Sequence, residues 1–197
     1  LNAMVNCIRS ADNYIYIETQ FFISQFGTWG EKQVGSDHHT GAPQKVPAVD
    51  SSKIGNENNG IKNIVLDELA ARIGKHIVAA LPFHVYIVIP THPEGPITDE
   101  AVWKQHWMAL VSIKHGSNSL INRIKKSLIA RKRDPQEWVQ YLTILNMRNY
   151  GATVQYARDP KTFDEDFSHE IGRFVVTEQI YIHSKLMIVD DAVAIVG

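Results

Sequence analysis

Residues 181–197 constrain the fold most strongly, because their apolar side chains alternate as they do in β-strands. The segment reads YIHSKLMIVDDAVAIVG, with β-branched residues on both sides of the acidic pair Asp190 and Asp191. Two such runs joined by a short turn predict a β-hairpin. The two-residue period of a strand places His183 and Lys185 on one face. The other face carries Ile182, Ser184, Leu186 and Ile188.

His183, Lys185 and Asp190 follow the spacing H-x-K-x-x-x-x-D. An imidazole beside an ammonium group suits a phosphodiester, because the cation holds the negative oxygens while the imidazole transfers a proton or attacks phosphorus. Asp190 has the opposite strand parity and follows the apolar run. We therefore expect Asp190 to brace the turn or a neighbouring backbone amide rather than to complete a catalytic triad.

A second strand, predicted over residues 14–23, carries polar groups among alternating apolar residues. Its two faces hold Ile15, Ile17 and Thr19 on one side and Tyr16, Glu18 and Gln20 on the other. A carboxylate and an amide on a buried strand need polar partners. Glu18 and Gln20 therefore belong either to an active site or to a solvated strand end.

The rest of the chain predicts alternating helices and strands. Apolar residues recur every four positions from Ile61 to Ile77, which predicts a helix over residues 60–81. Residues 85–89 form a near-continuous apolar run, typical of a central strand. The polar, glycine-rich stretch 27–60 is predicted to be a flexible loop. This order of elements indicates an α/β fold in which helices flank a mixed sheet.

Trp103, Trp107 and Leu110 form an apolar stripe on a further predicted helix. We expect this stripe to pack in the core, and a lipid-contacting aromatic patch is the alternative interpretation. Metal binding is not expected. His38 and His39 lie in a polar stretch where adjacent histidines are typically solvated, and the pair at 169–170 has no partner at ligand spacing.

Composition narrows the class of protein. The formal net charge of −1 gives no electrostatic case for nucleic acid or an anionic surface as the main partner. No apolar run reaches the roughly 18 residues of a membrane span, and no signal pattern opens the chain. Cys7 is the one cysteine, which fits a reducing compartment. We therefore expect a cytoplasmic protein without a transmembrane segment.

The H-x-K-x-x-x-x-D motif resembles the signature of the phospholipase D superfamily. The match extends to eukaryotic-type phospholipase D, in the segment that leads into and includes its second motif. The similar segments are NYIYIETQFFIS at 13–24, VYIVIPTHPEGP at 85–96 and TEQIYIHSKLMIVDD at 177–191. They occur in the family's order and span most of the chain. The stretch 27–60 falls outside the resemblance and looks like an insertion.

This resemblance implies a catalytic domain built from two similar α/β halves, each of which gives one His-Lys pair to a shared site. Residues 1–197 resemble the second, carboxyl-terminal half, truncated at both ends. No other H-x-K-x-x-x-x-D occurs in the chain. We therefore expect the missing amino-terminal half to supply the nucleophile, and the isolated chain to be inactive.

In the family, the histidine of the first motif forms a phosphohistidine, and that of the second protonates the leaving alcohol and then activates water or another alcohol. The resemblance thus gives His183 the acid/base role, Lys185 phosphate binding and Asp190 a structural role. Glu18 and Gln20 become candidates for orienting an imidazole or touching the headgroup. The implied reaction needs no cofactor, and its calcium dependence stays open.

The implied substrate is a phosphatidylcholine-type phospholipid at a membrane surface, hydrolysed to phosphatidic acid and the headgroup alcohol. The implied location is peripheral to a membrane. Two alternatives remain at this point. One is a nuclease or other phosphodiesterase of the same superfamily, against which the near-neutral charge speaks. The other is a degenerate copy that binds lipid without turning it over.

Overall fold

A computed structural model of the protein describes residues 1–24, 63–91, 94–95, 98–115, 118–155 and 173–197. The helices are α1 (Asn2–Ser10), α2 (Val65–Ala79), α3 (Glu100–Leu110) and α4 (Leu120–Ala130). A π-helical turn, Val111–His115, continues α3, and a short 3₁₀ helix spans Pro135–Gln140. The strands are β1 (Tyr14–Thr19), β2 (His84–Val88), β3 (Leu142–Leu145), β4 (Arg148–Gln155), β5 (Arg173–Gln179), β6 (Lys185–Val189) and β7 (Val193–Val196).

Strand β1 is the centre of a five-stranded mixed sheet with the order β3-β2-β1-β6-β7. It pairs in parallel with β2 and antiparallel with β6, so that Ile17 lies between Ile87 and Met187. Strands β4 and β5 form a separate two-stranded antiparallel sheet, which the sequence pattern does not predict. The predicted α/β fold with helices flanking a mixed sheet is confirmed.

The hydrophobic core lies between one face of the large sheet and helices α1, α2 and α4. Alternation along β1 directs Ile15 and Ile17 into this core, where they are 0% and 3% exposed. The predicted stripe of α2 is buried against them, with Leu69, Ile73 and Ile77 among the covered residues. Each such aliphatic side chain contributes about 1.5–3 kcal/mol when it is fully buried. Packing against the core therefore holds β1 in place on one face of the sheet.

The carboxyl ends of the parallel strands β1, β2 and β3 meet at one edge of the sheet, the usual place for active-site loops in α/β proteins. Strand β6 runs antiparallel to β1 and so begins at the same edge. We call this the carboxyl edge; it is defined by Thr19, Val88, Leu145 and Lys185.

The hairpin predicted at the end of the chain is confirmed, because β6 pairs antiparallel with β7. Asp190 and Asp191 form its turn with φ angles of 52° and 56°, and the Ala192 N–H closes it by donating to the Val189 carbonyl at 3.0 Å. The first strand is shorter than predicted. It begins at Lys185, so His183 lies in the irregular segment just before it.

The aromatic stripe of α3 is not part of the core, so the core-packing prediction is wrong. No residue of α3 is buried, and Trp103 and Trp107 are partly exposed. Their rings stack with centroids 5.7 Å apart, and Trp107 also stacks on His115 with centroids 5.9 Å apart. Helical periodicity identified the apolar stripe correctly, but it carries no information on whether another element covers it.

The assignment of the core can be tested on α2. We expect Ile73→Ala to lower the free energy of unfolding by about 2–5 kcal/mol, because truncation leaves a cavity in a packed interior. Val78→Ala on the same helix is the matched control, since Val78 is 55% exposed; its effect is expected within about 0.5 kcal/mol. Urea denaturation followed by circular dichroism measures both, and equal losses would contradict the assignment.

Candidate active site

His183 and Lys185 lie together at the carboxyl edge. Lys185 is the first residue of β6 and pairs with Thr19, the last residue of β1. His183 precedes the strand, and both side chains are exposed. The Lys185 ammonium donates a hydrogen bond to the His183 backbone carbonyl at 2.7 Å. The Lys185 ammonium is therefore held at the backbone of His183, and both side chains lie at an exposed surface that a phosphodiester can approach.

Glu18 lies beside this pair without contacting the imidazole. Its carboxylate accepts hydrogen bonds from the Ser184 and Tyr16 hydroxyls, each at 2.6 Å. These two bonds, Ser184 first, lower the pKa of Glu18. Burial, together with the bond to Glu18, raises the pKa of Tyr16 to about 12. Glu18 is thus an anionic anchor for Ser184, the residue between His183 and Lys185.

Gln20 reaches the histidine through one intermediate residue. Its side-chain amide donates to the Tyr181 hydroxyl. The Tyr181 ring stacks on the His183 ring, with centroids 5.7 Å apart and an interplanar angle of 21°. Sequence reasoning singled out Glu18 and Gln20 but missed both of their partners, Ser184 and Tyr181. Ser184 and Tyr181 could have been found in the sequence, because both lie within two positions of His183 in the motif segment.

Asp190 braces backbone amides, as predicted, at the opposite edge of the sheet. Its carboxylate accepts from the N–H groups of Asp12, Asn13 and Tyr14 at 2.6, 2.7 and 2.8 Å. Burial by itself raises the pKa of Asp190, but these three bonds outweigh burial and the pKa is lowered. Lys185 is the first residue of β6 and Asp190 follows its last, so five steps along the strand separate them, which at about 3.3 Å per residue is roughly 16 Å. That distance rules out a shared phosphate contact.

Within the described ranges, the structure shows neither a metal-binding cluster nor a membrane-spanning helix. No group of three or more His, Cys, Asp or Glu side chains there is arranged to hold a metal ion. No helix there combines the length and apolar character needed to cross a bilayer. His38, His39 and the pair at 169–170 lie outside the described residues, as does the stretch 27–60.

A family model described as Phospholipase D matches residues 1–197, the whole of the sequence. The chain belongs to the phospholipase D family. This confirms the resemblance drawn from the H-x-K-x-x-x-x-D motif and the three further segments.

Relatives in plants show the same extent of similarity. Phospholipase D alpha 3 of Arabidopsis thaliana is 32% identical over 206 residues. Phospholipase D alpha 1 is 29% identical over 205 residues in Nicotiana tabacum and 28% identical over 206 residues in Carica papaya. Each alignment covers 100% of this chain, which spans 21% of the length of each relative.

The anchoring role of Asp190 predicts a pH-dependent stability. We expect Asp190→Asn to lower the free energy of unfolding near neutral pH by about 1–3 kcal/mol, because hydrogen bonds to a charged group are lost. A lowered folded pKa means that this stabilisation is fully present above the ordinary value of about 3.9 and disappears as the pH falls through the folded value. Urea unfolding of both proteins from about pH 2 to pH 7 measures the difference.

Asp191→Asn is the matched control, because Asp191 occupies the same turn with nearly the same φ and asparagine tolerates that backbone. It accepts one bond from the Tyr14 hydroxyl and none from the amides that Asp190 braces. We expect a smaller effect. A pH-independent loss in Asp190→Asn would show that the charge of Asp190 contributes nothing.

Proposed function

We propose that this chain supplies the acid/base half of a phospholipase D active site that hydrolyses phosphatidylcholine-type phospholipids to phosphatidic acid and a headgroup alcohol. The observation that carries the proposal is the exposed His183 beside Lys185 at the carboxyl edge of the sheet. Family membership supports it, since the motif that holds both residues lies within the matched range.

In the proposed first step, a histidine from the other half of the domain attacks phosphorus. The bond from phosphorus to the headgroup oxygen breaks, and the protonated His183 gives its proton to that oxygen. In the second step, neutral His183 removes a proton from water while the water oxygen attacks phosphorus. The phosphorus–nitrogen bond breaks, which releases phosphatidic acid and returns His183 to its protonated form. An alcohol in place of water gives a new phosphatidyl ester.

The other residues take supporting roles in this proposal. Lys185 binds the negative phosphate oxygens, for which an exposed ammonium beside His183 is suited. Asp190 is structural, since it lies far from Lys185 and holds three backbone amides. Glu18 and Gln20 position the segment that carries His183, because each bonds to a residue within two positions of it.

We also propose how the chain fits into its catalytic domain and where the protein acts. The chain corresponds to the carboxyl-terminal half of the catalytic domain, with 27–60 as an inserted loop, and works with an amino-terminal half that carries the nucleophile. The chemistry uses no cofactor. The protein acts in the cytoplasm, at the surface of the membrane that holds its substrate. The 21% of each relative that the chain spans leaves room for such a partner half.

The acid/base role of His183 can be tested by changing the leaving group in the full-length protein. We expect His183→Asn to slow phosphatidylcholine hydrolysis by about 10²–10⁴, the usual worth of a positioned acid. With phosphatidyl-p-nitrophenol, whose leaving group needs no proton, the same variant should release one equivalent of p-nitrophenol per site in a burst and then turn over slowly. Rapid-mixing absorbance measurements give the burst amplitude.

His84→Asn is the matched control, because His84 begins β2 at the edge opposite the candidate site. Its activity per folded molecule should equal that of the wild type. Loss of the burst in His183→Asn would assign the first chemical step to His183 and contradict the proposed division of roles. Unchanged hydrolysis of phosphatidylcholine would remove His183 from the mechanism.

The substrate class can be tested by comparing phospholipid with single-stranded DNA as substrates of the same protein. We expect the full-length protein to release phosphatidic acid from phosphatidylcholine vesicles and to leave single-stranded DNA intact. Residues 1–197 alone should turn over neither, since the proposed nucleophile comes from the other half. Mass spectrometry of the lipid and gel analysis of the DNA measure both reactions. Cleavage of DNA would favour a nuclease, and vesicle binding without turnover by the full-length protein would favour a non-catalytic copy.

A further inference from the structure

We propose that Tyr181 is a positioning residue that orients the imidazole of His183 by ring stacking, and that Gln20 fixes Tyr181 in place. This inference rests on the proposed function of His183. It concerns a residue that neither the motif H-x-K-x-x-x-x-D nor the family comparison singles out. The chain of contacts runs from the central strand through Gln20 and Tyr181 to the imidazole.

The position of His183 calls for such a device. Its segment, 181–184, is irregular, whereas Lys185 and the residues after it are held by strand pairing. A histidine ring also turns about its last side-chain torsion with only a broad, two-fold preference. An acid that must deliver a proton to one oxygen atom needs both its backbone and its ring plane defined. Strand pairing of β6 supplies neither at His183.

The stacked pair supplies the ring plane. The centroid separation of 5.7 Å and the angle of 21° fall in the offset-stacked range of about 4.5–7 Å that aromatic pairs prefer. Stacking restrains rotation of the imidazole, because a turned ring loses its contact with the Tyr181 face. The ring edge, which carries both nitrogens, is left for proton transfer.

The central strand β1 fixes the position of the segment that carries His183. Gln20 follows the last residue of β1, and its amide bonds to the Tyr181 hydroxyl. Glu18, two residues earlier, bonds to the Ser184 hydroxyl at 2.6 Å. Glu18 of β1 and Gln20 just after it therefore hold the segment on both sides of His183. The buried Ile182 side chain, 3% exposed, adds an apolar anchor between them.

The test compares Tyr181→Phe and Tyr181→Leu in the full-length protein. Phenylalanine keeps the stacking ring and loses the hydroxyl, whereas leucine loses both. We expect kcat for phosphatidylcholine to fall by about tenfold or more in Tyr181→Leu and by less than about threefold in Tyr181→Phe, with KM nearly unchanged in both. A loss of kcat alone is the signature of a misplaced acid rather than of weaker lipid binding.

Coupling between Gln20 and Tyr181 gives an independent measure. We expect Gln20→Leu to reduce kcat in the wild-type background and to have no further effect in Tyr181→Phe, because the hydroxyl that Gln20 holds is already gone. Additive effects in the double variant would show that Gln20 acts by another route and would overturn the chain of contacts.

A readout that does not depend on turnover separates this inference from the proposed function. With selective ¹³C labelling of histidine, the His183 signal is assigned as the one that disappears in His183→Asn. We expect a nuclear Overhauser contact between the rings of Tyr181 and His183 in the wild-type protein. We also expect the ring-current shift of His183 to persist in Tyr181→Phe and to vanish in Tyr181→Leu.

Absence of that contact in the wild type would overturn the inference even if Tyr181→Leu fails to fold. A retained contact with kcat unchanged in Tyr181→Phe and Tyr181→Leu would also overturn it, since stacking would then not matter to the reaction. If His183→Asn itself left phosphatidylcholine hydrolysis unchanged, the proposed function would fail while the stacking geometry stood. The outcomes are therefore distinguishable.

Discussion

The antiparallel pairing of β1 with β6 decides where every candidate site residue lies. A carboxylate locks each end of this ladder. At one end Asp190, just after β6, holds the amides that lead into β1. At the other end Glu18 of β1 holds Ser184, just before β6. Because a slip of one residue would reverse the faces of a strand, two such locks fix the register on which the exposure of His183 depends.

The motif H-x-K-x-x-x-x-D can be understood from this ladder. Its histidine and lysine lie at the carboxyl edge, and its aspartate lies across the full length of β6 from them. The interval between lysine and aspartate thus spans one strand. The aspartate contributes to the site by anchoring the turn, while the lysine ammonium lies at the other end of the strand, bonded to the His183 backbone carbonyl. Chemistry and anchoring are divided between the two ends of one short strand.

The sequence predicted the local features well. Alternation predicted the hairpin and the two faces of β1, and the four-residue recurrence predicted α2. It also predicted that Asp190 would brace the turn or a neighbouring backbone amide, because Asp190 has the opposite strand parity to His183 and Lys185 and follows the apolar run. Burial of Trp103 and Trp107 was predicted wrongly. A stripe shows which side of a helix is apolar, and a neighbouring element decides whether that side is covered.

The sequence by itself determined the periodic elements, the turn and the chemical groups available for phosphodiester cleavage, because each depends on residues close together in the chain. Only the tertiary structure decided that Ser184 would meet Glu18 and that Tyr181 would meet Gln20. More than 160 residues separate the members of each pair. Their contact depends on β6 returning to pair with β1 at the centre of the sheet, and no local pattern encodes that choice of neighbour.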